Sequence, residues 1–138
     1  SIAIPTDYIS VTEIPSIYDF TIEHIRPELD ADLVRTLGDL VPEARVGGVY
    51  AQTRGPRIET VAEVRALAGV ADLVGMTVAS EATLALELGM RFAAICTVDN
   101  YANGLGGETL TYEHILAVSR ANARRTERIL EKIVEQLA

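Results

Sequence analysis

Arg54-Gly55-Pro56-Arg57-Ile58-Glu59-Thr60 (residues 54–60) lies between a run rich in Val and Tyr and a run of helical periodicity. Gly55 accepts backbone conformations that a side chain resists, and Pro56 fixes its own φ and turns the preceding residue away from helix. Thr60 followed by Glu63 is a capping box, which predicts a helix starting at Val61. Glu59 then stands just outside a helix N-terminus, on a turn held by Gly and Pro, where a carboxylate is placed to touch a ligand. The alternative for Glu59 is a solvated acid near the positive end of a helix.

Working upstream, Arg45 to Thr53 reads as a strand, with Gly47-Gly48 marking a bulge or a close backbone approach. Asp30 caps a helix from Ala31 to about Leu40, with Leu33, Val34 and Leu37 on one face. Before it lie a short strand at Ile2–Ile4 and a loop-rich passage punctuated by Pro5, Pro15 and Pro27. Tyr8-Ile9-Ser10-Val11 is strand-like and either pairs or packs across an edge. Tyr18, Phe20 and His24 form an aromatic group that reads from residues alone as core or loop packing.

Downstream, the helix from Val61 runs to about Leu67, and Asp72–Gly75 is a short strand that stops at Met76-Thr77. Ser80 is expected to cap a helix over Glu81–Leu88, ended by Gly89. Met90 to Val98 is apolar apart from Arg91 and reads as a central strand covered on both faces. Residues 99–107 form a polar, Gly-rich loop. Thr111 caps a last helix to about Gln136, expected to bury Ile115, Val118, Ile129, Ile133 and Leu137. Its outer side offers Arg124–Glu127, Arg128–Glu131 and Lys132–Glu135 pairs.

Alternating strands and helices predict an α/β fold with a mostly parallel or mixed central sheet and flanking helices. Ligands of open α/β sheets sit outside the carboxyl ends of the strands. Glu59, Met76-Thr77 and Asp99-Asn100 all follow predicted strands, so three separate stretches are expected to meet at one mouth.

The 138 residues are enough for one domain with its own core. A net charge of −8 argues against general nucleic-acid binding but leaves room for a small anion held by local donors. One cysteine, Cys96, excludes an internal disulfide framework and reads as a buried thiol. No run is apolar enough to cross a bilayer, and the start of the sequence lacks a signal-peptide pattern, so a cytoplasmic protein is expected, with no membrane partner.

Gly55-Pro56-Arg57-Ile58-Glu59-Thr60, then Gly75-Met76-Thr77, then Asp99-Asn100 resembles, in order and spacing, the trimeric-type purine nucleoside phosphorylases and their methylthioadenosine phosphorylase relatives. The likeness runs from about Gly48 to the C-terminus and more loosely over residues 1–40. Members of that family are roughly twice this length. The resemblance therefore implies that 1–138 is the C-terminal portion of a single phosphorylase domain, incomplete at its N-terminus, with a loop-rich segment and helix (1–44) followed by the purine-site segment (45–138). It also implies a homo-oligomer, a trimer or dimer of trimers, completed by the missing N-terminal half.

A phosphorylase splits an N-glycosidic bond with inorganic phosphate as co-substrate and needs neither cofactor nor metal. Charge develops on both ribosyl group and base, and both must be stabilised. The resemblance places Glu59 and Asn100 in the catalytic role, Ile58, Met76, Tyr112 and Asp99 on the substrate, and Thr77 on phosphate. It sends Phe20 and His24 into a neighbouring subunit's site. Chemically, an ionised Glu59 accepts from a purine N1–H and does not donate, which suits a 6-oxopurine, and the Asn100 amide both donates and accepts at the N7/O6 edge. Without the family, Met76 reads as core filling and Asn100 as a turn former.

Two positions depart from the family pattern. Ile58 stands where relatives often carry Phe, and Tyr112 where many carry a His that reaches the ribose 5′ end. The 5′ group is therefore open between a hydroxyl and a methylthio substituent. The expected activity is phosphorolysis of inosine- or guanosine-type nucleosides in purine salvage. The alternatives are a methylthio-nucleoside phosphorylase and a non-catalytic purine-binding or assembly subunit. Most phosphate contacts belong to the other half of the family's domain, so the chain alone is expected to be inactive.

Overall fold

The computed structural model describes residues 1–18, 20–107 and 109–137. Ile2–Ile4 (β1) and Asp7–Ser10 (β2) run parallel to Arg45–Val46 (β3) and Val49–Gln52 (β4). Ala3 pairs with Arg45 and Tyr8 with Tyr50, so one register offset of 42 residues holds along both pairs. The two pairs are thus one bent ribbon. At the bend Pro5 has no N–H to donate, while Gly47 N–H donates to the Ile4 carbonyl at 2.9 Å and Thr6 N–H to the Gly48 carbonyl at 3.0 Å. Gly47 and Gly48 take φ of 113° and 93°, which residues with a Cβ rarely adopt. The expected continuous strand over residues 45–53 is therefore divided, and each half enters a different sheet.

One sheet has the order β3-β1-β6 and the other β2-β4-β5, with β5 at Leu73–Gly75 and β6 at Cys96–Thr97. β5 is parallel to β4, whereas β6 is antiparallel to β1. This is the mixed sheet arrangement with flanking helices that the sequence predicts. The apolar run from Met90 differs from expectation, because only Cys96–Thr97 pair, and they do so at a sheet edge. Upstream of them the Phe92 carbonyl accepts from Asp30 N–H at 2.8 Å. The Phe92 side chain packs against both apolar clusters. That segment is apolar because it crosses the core, not because it is a central strand.

The helices are Ala31–Leu40 (α1), Val61–Leu67 (α2), Val78–Glu87 (α3) and Tyr112–Leu137 (α4). The larger cluster joins Ile2 and Ile4 to Val34 and Leu37 of α1, Val41, and Ile133 of α4. The smaller one gathers Tyr50, Val78 and Ala94 under the other sheet. α4 buries less than its pattern suggests. Ile133 is its one fully buried residue among those described and Ile129 packs beside it, while Leu137 is half exposed. Nor do its expected Arg–Glu pairs form. Arg125 instead reaches Glu43 of the α1–β3 connection at 3.4 Å, and Lys132 donates to the Leu40 carbonyl at 2.5 Å. Arg placed N-terminal to Glu is the weaker orientation for a helix-surface pair.

Asp30 caps α1 as expected, accepting from Leu33 N–H at 2.9 Å, and also binds Arg91 through Nε at 2.6 Å and Nη2 at 2.7 Å. The Arg91 hydrogen bonds, then the Leu33 amide, hold its carboxyl well below the usual carboxylate range. A carboxyl depressed on folding contributes stability that is complete above its unfolded pKa, about 4, and is lost as pH falls below it. Accordingly, the gap in urea midpoint between the wild-type chain and Asp30→Asn should be clear near neutral pH and close between about pH 4 and pH 2. A gap that stays constant over that range would mean the ion pair adds nothing.

Candidate active site

β4 and β5 deliver two adjacent backbone ends, and the pairing continues past the strands where Thr53 N–H donates to the Gly75 carbonyl at 2.8 Å. Gly75 is required here by close approach. A Cβ at this position would run into the hydroxyl and ring of the buried Tyr50. Tyr50 in turn presents its oxygen to the backbone of Thr77 and Val78 at the start of α3. Burial pushes its phenol up, against the opposing effect of those amides.

α3 begins three residues before the expected Glu81, with Thr77 as its N-cap residue. The cause is Gln52, a buried side chain at the end of β4. Its Oε1 accepts from Ser80 N–H at 2.8 Å and its Nε2 donates to Ser80 Oγ at 2.6 Å. A side chain from another strand thus does the capping that the sequence assigns to Ser80. Thr77 makes no capping hydrogen bond of its own and is exposed. Its hydroxyl is left beside the positive end of a ten-residue helix.

The turn after β4 forms as the sequence predicts, with a cis Gly55-Pro56 bond. The capping box is complete, Glu63 N–H donating to Thr60 Oγ1 at 3.2 Å and Thr60 N–H to Glu63 Oε2 at 2.6 Å. Arg57 adds a fork on Glu63, at 2.9 and 2.8 Å. These contacts, the Arg57 hydrogen bonds first, lower the Glu63 carboxyl to about 2.

Glu59 is not solvated. It is 8% exposed, and Thr53 Oγ1 donates to its Oε1. Its backbone carbonyl accepts from Asn103 Nδ2 at 3.0 Å. Glu59 Oε2 takes no hydrogen bond from the described residues, yet it is not sealed off as an unsatisfied buried atom. Glu59 borders a cavity of about 460 Å³ whose lining includes Thr12, Thr53, Arg54, Arg57 and Leu67. An ionised carboxylate oxygen without a protein donor is able to accept from an N–H of a bound molecule.

The other predicted residues divide into those that reach this turn and those that do not. Met76 lies with its sulfur against Gly55, so the end of β5 meets the turn. The Gly-rich loop also arrives, but through Asn103 on the Glu59 carbonyl and Gly104 against Val61. Asn100 is half-buried and donates from Nδ2 to the Tyr101 carbonyl at 2.9 Å, and Asp99 Oδ1 accepts from Asn122 of α4 at 3.0 Å. Because β6 runs antiparallel to β1, Val98 pairs with Ser1 at the amino end of β1, and residues 99–107 return across the molecule. Met76, Thr77, Asp99, Asn100 and Tyr112 do not line the Glu59 cavity. Ile58 is half-buried on the turn, and Tyr112 is exposed at the start of α4.

Phe20 and His24 are exposed, Phe20 at 99%, so the expected aromatic packing is absent. The loop before them is pinned to the end of α3. Ser16 Oγ and Ile17 N–H both donate to the Glu87 carboxylate at 2.7 Å, and Tyr18 Oη donates to the Glu87 carbonyl at 3.0 Å. Cys96 is half-buried, and burial pushes its thiol up to about 11, as for an unreactive structural thiol. Among the described residues no cluster of His, Cys, Asp or Glu is arranged to hold a metal, and no helix is long and apolar enough to cross a membrane.

Sequence reasoning missed Thr53, Gln52 and Asn103. Thr53 and Gln52 end a strand and carried no motif, and Asn103 sat in a loop with several equivalent polar residues.

Residues 2–135 match the phosphorylase superfamily. A probable 6-oxopurine nucleoside phosphorylase from Archaeoglobus fulgidus is 39% identical over 99% of this chain and 58% of its own length. A probable S-methyl-5′-thioinosine phosphorylase from Methanopyrus kandleri is 31% identical over 99% of this chain and 57% of its own. The chain thus spans a little under three-fifths of the length of these relatives. The crystal structure of Schistosoma mansoni purine nucleoside phosphorylase in complex with adenosine superposes with a TM-score of 0.79 at 25% identity, over 99% of this chain and 56% of that one. A family match across nearly every residue, with the same backbone fold, places this chain in the phosphorylase superfamily.

Proposed function

We propose that this chain carries the base-reading part of a phosphorylase for 6-oxopurine nucleosides. The observation behind this reading is Glu59, a buried carboxylate beside a cavity, with one oxygen held by Thr53 and the other taking no hydrogen bond from the described residues. An acceptor without a proton favours a base with N1–H, as in hypoxanthine, over adenine, whose N1 is itself an acceptor. Both kinds of relative named above are named for a 6-oxopurine substrate, inosine being a hypoxanthine nucleoside, so this base reading is independent of the 5′ substituent. Equilibrium dialysis with hypoxanthine and adenine tests it, and tighter binding of adenine would refute it.

In this reading the nucleoside extends beyond the Glu59 cavity, which these residues do not line: Asn100 meets the N7/O6 edge, Asp99 supports it, Ile58 and Met76 line the base and ribose, Tyr112 approaches the 5′ end, and Thr77 with the α3 N-terminus contributes to phosphate. Asn100→Asp is then expected to move preference toward 6-aminopurines, because a protonated Asp donates to N7 while its other oxygen accepts from the 6-amino group. The inosine-to-adenosine ratio of kcat/KM in the active assembly should fall on the order of tenfold, the worth of one hydrogen bond. An unchanged ratio would remove Asn100 from the base edge.

The exposure of Phe20 and His24 on a loop anchored by Glu87 supports the proposal that they enter a neighbouring subunit's site in a homo-oligomer. Turnover is assigned to that assembly with the complementary half of the domain. Residues 1–138 alone should not phosphorolyse inosine, and the assay is repeated with the N-terminal half added in trans.

A further inference from the structure

Thr53 is fixed before any ligand arrives. Its backbone N–H is held by the Gly75 carbonyl at 2.8 Å, at the end of two paired strands, and its side chain is buried. The hydroxyl has one proton, and the carboxylate of Glu59 can only accept, so donation runs from Oγ1 to Oε1. The other acceptor near Oγ1 is the Gly75 carbonyl, more distant at 3.4 Å and already bonded to the backbone of Thr53. Glu59 is restrained from the other side as well, by Asn103 on its carbonyl and by Thr60 capping α2. With its backbone held, the carboxylate presents both oxygens to a ligand only by giving up the Thr53 hydrogen bond.

We infer that Thr53 is a specificity-determining residue, which by occupying Glu59 Oε1 leaves Oε2 for a single N–H and so favours hypoxanthine over guanine. This rests on the reading of Glu59 as the group that meets the base. Hypoxanthine offers one N–H on that edge, at N1, next to a C2–H. Guanine offers N1–H and the 2-amino group side by side, a fork that matches two free carboxylate oxygens. With Oε1 engaged, the 2-amino group must share that oxygen with the Thr53 hydroxyl or displace it, and a hydroxyl displaced in a buried site is left without its partner.

The test is equilibrium dialysis of radiolabelled hypoxanthine and guanine against the wild-type chain and its Thr53→Val, Thr53→Ala and Thr53→Ser variants, with circular dichroism to verify folding. The wild type is expected to prefer hypoxanthine. Thr53→Val, and Thr53→Ala should the valine fail to fold, are expected to raise guanine binding relative to hypoxanthine on the order of tenfold, whereas Thr53→Ser, which keeps the hydroxyl, retains the wild-type ratio. A merely structural role would weaken both bases together and leave the ratio alone. Wild-type preference for hypoxanthine with an unchanged ratio in the valine and alanine variants overturns this inference and leaves the base reading standing. Failure of the wild type to bind either base overturns the base reading, and this inference with it.

Discussion

Glu59→Gln is expected to weaken hypoxanthine binding, and kcat/KM for inosine in the active assembly, by about 30- to 160-fold. The substitution keeps the shape of a side chain that is 8% exposed, so packing is preserved. The chemistry at the open end is inverted. The Thr53 hydroxyl needs an acceptor, and it takes the amide oxygen of the glutamine in place of Oε1. That turns the amide NH2 toward the cavity, where it faces the N1–H of the base, donor against donor. Losing a hydrogen bond to a charged acceptor costs about 2–3 kcal/mol, which is the stated range of fold-change. Adenine, whose N1 accepts, should lose far less. If both bases weaken equally, Glu59 supports the fold and does not read the base. The measurement is a pair of dissociation constants together with the kcat/KM ratio.

Ile4→Ala is expected to give the largest loss of stability of any substitution considered for this chain. Ile4 is 0% exposed, sits on the central strand of its sheet, and belongs to the cluster that joins that sheet to α1 and α4. Removing most of its side chain leaves a cavity among Val34, Leu37, Val41 and Ile133, residues from elements that cannot all move inward together. Such truncations cost about 2–5 kcal/mol. For a domain of this size that corresponds to a fall in Tm on the order of 10 °C. Urea and thermal unfolding read it directly. A loss below about 1 kcal/mol would mean that the α1–α4 face repacks freely, against the density expected of a core. The effect should also exceed that of Leu137→Ala, because Leu137 is half exposed although the helical pattern assigned it to the core.

What was legible in the sequence was local. Asp30 before Ala31, Thr60 with Glu63, and Gly89 after α3 are signals within one turn of chain, and each acts where expected. The Gly55-Pro56 turn and the α/β alternation are legible for the same reason, since backbone preference and periodicity belong to neighbouring residues. Glu59 lies on that turn as the pattern implies, but its burial was not foreseeable. That depends on Thr53, Asn103 and a cavity wall assembled from α2 and from Val11 and Thr12, just after β2.

Tertiary structure decided the rest. Periodicity measures burial and not pairing, so Met90 to Val98 looked like a central strand although only Cys96–Thr97 pair, antiparallel and at an edge. That one reversal sends residues 99–107 back across the molecule and makes Asn103 the loop residue that reaches Glu59. The start of α3 was fixed by Gln52, whose side chain caps Ser80 from 28 residues away, a contact with no trace in the local pattern. On α4, helical spacing identifies an apolar stripe but not how much of its 26 residues the rest of the fold covers, and contact with α1 and β1 is concentrated around Ile133. Caps and turns are set by neighbours in sequence. Strand direction, cross-strand capping and the surroundings of a buried carboxylate depend on contacts between distant residues, which only the folded chain brings together.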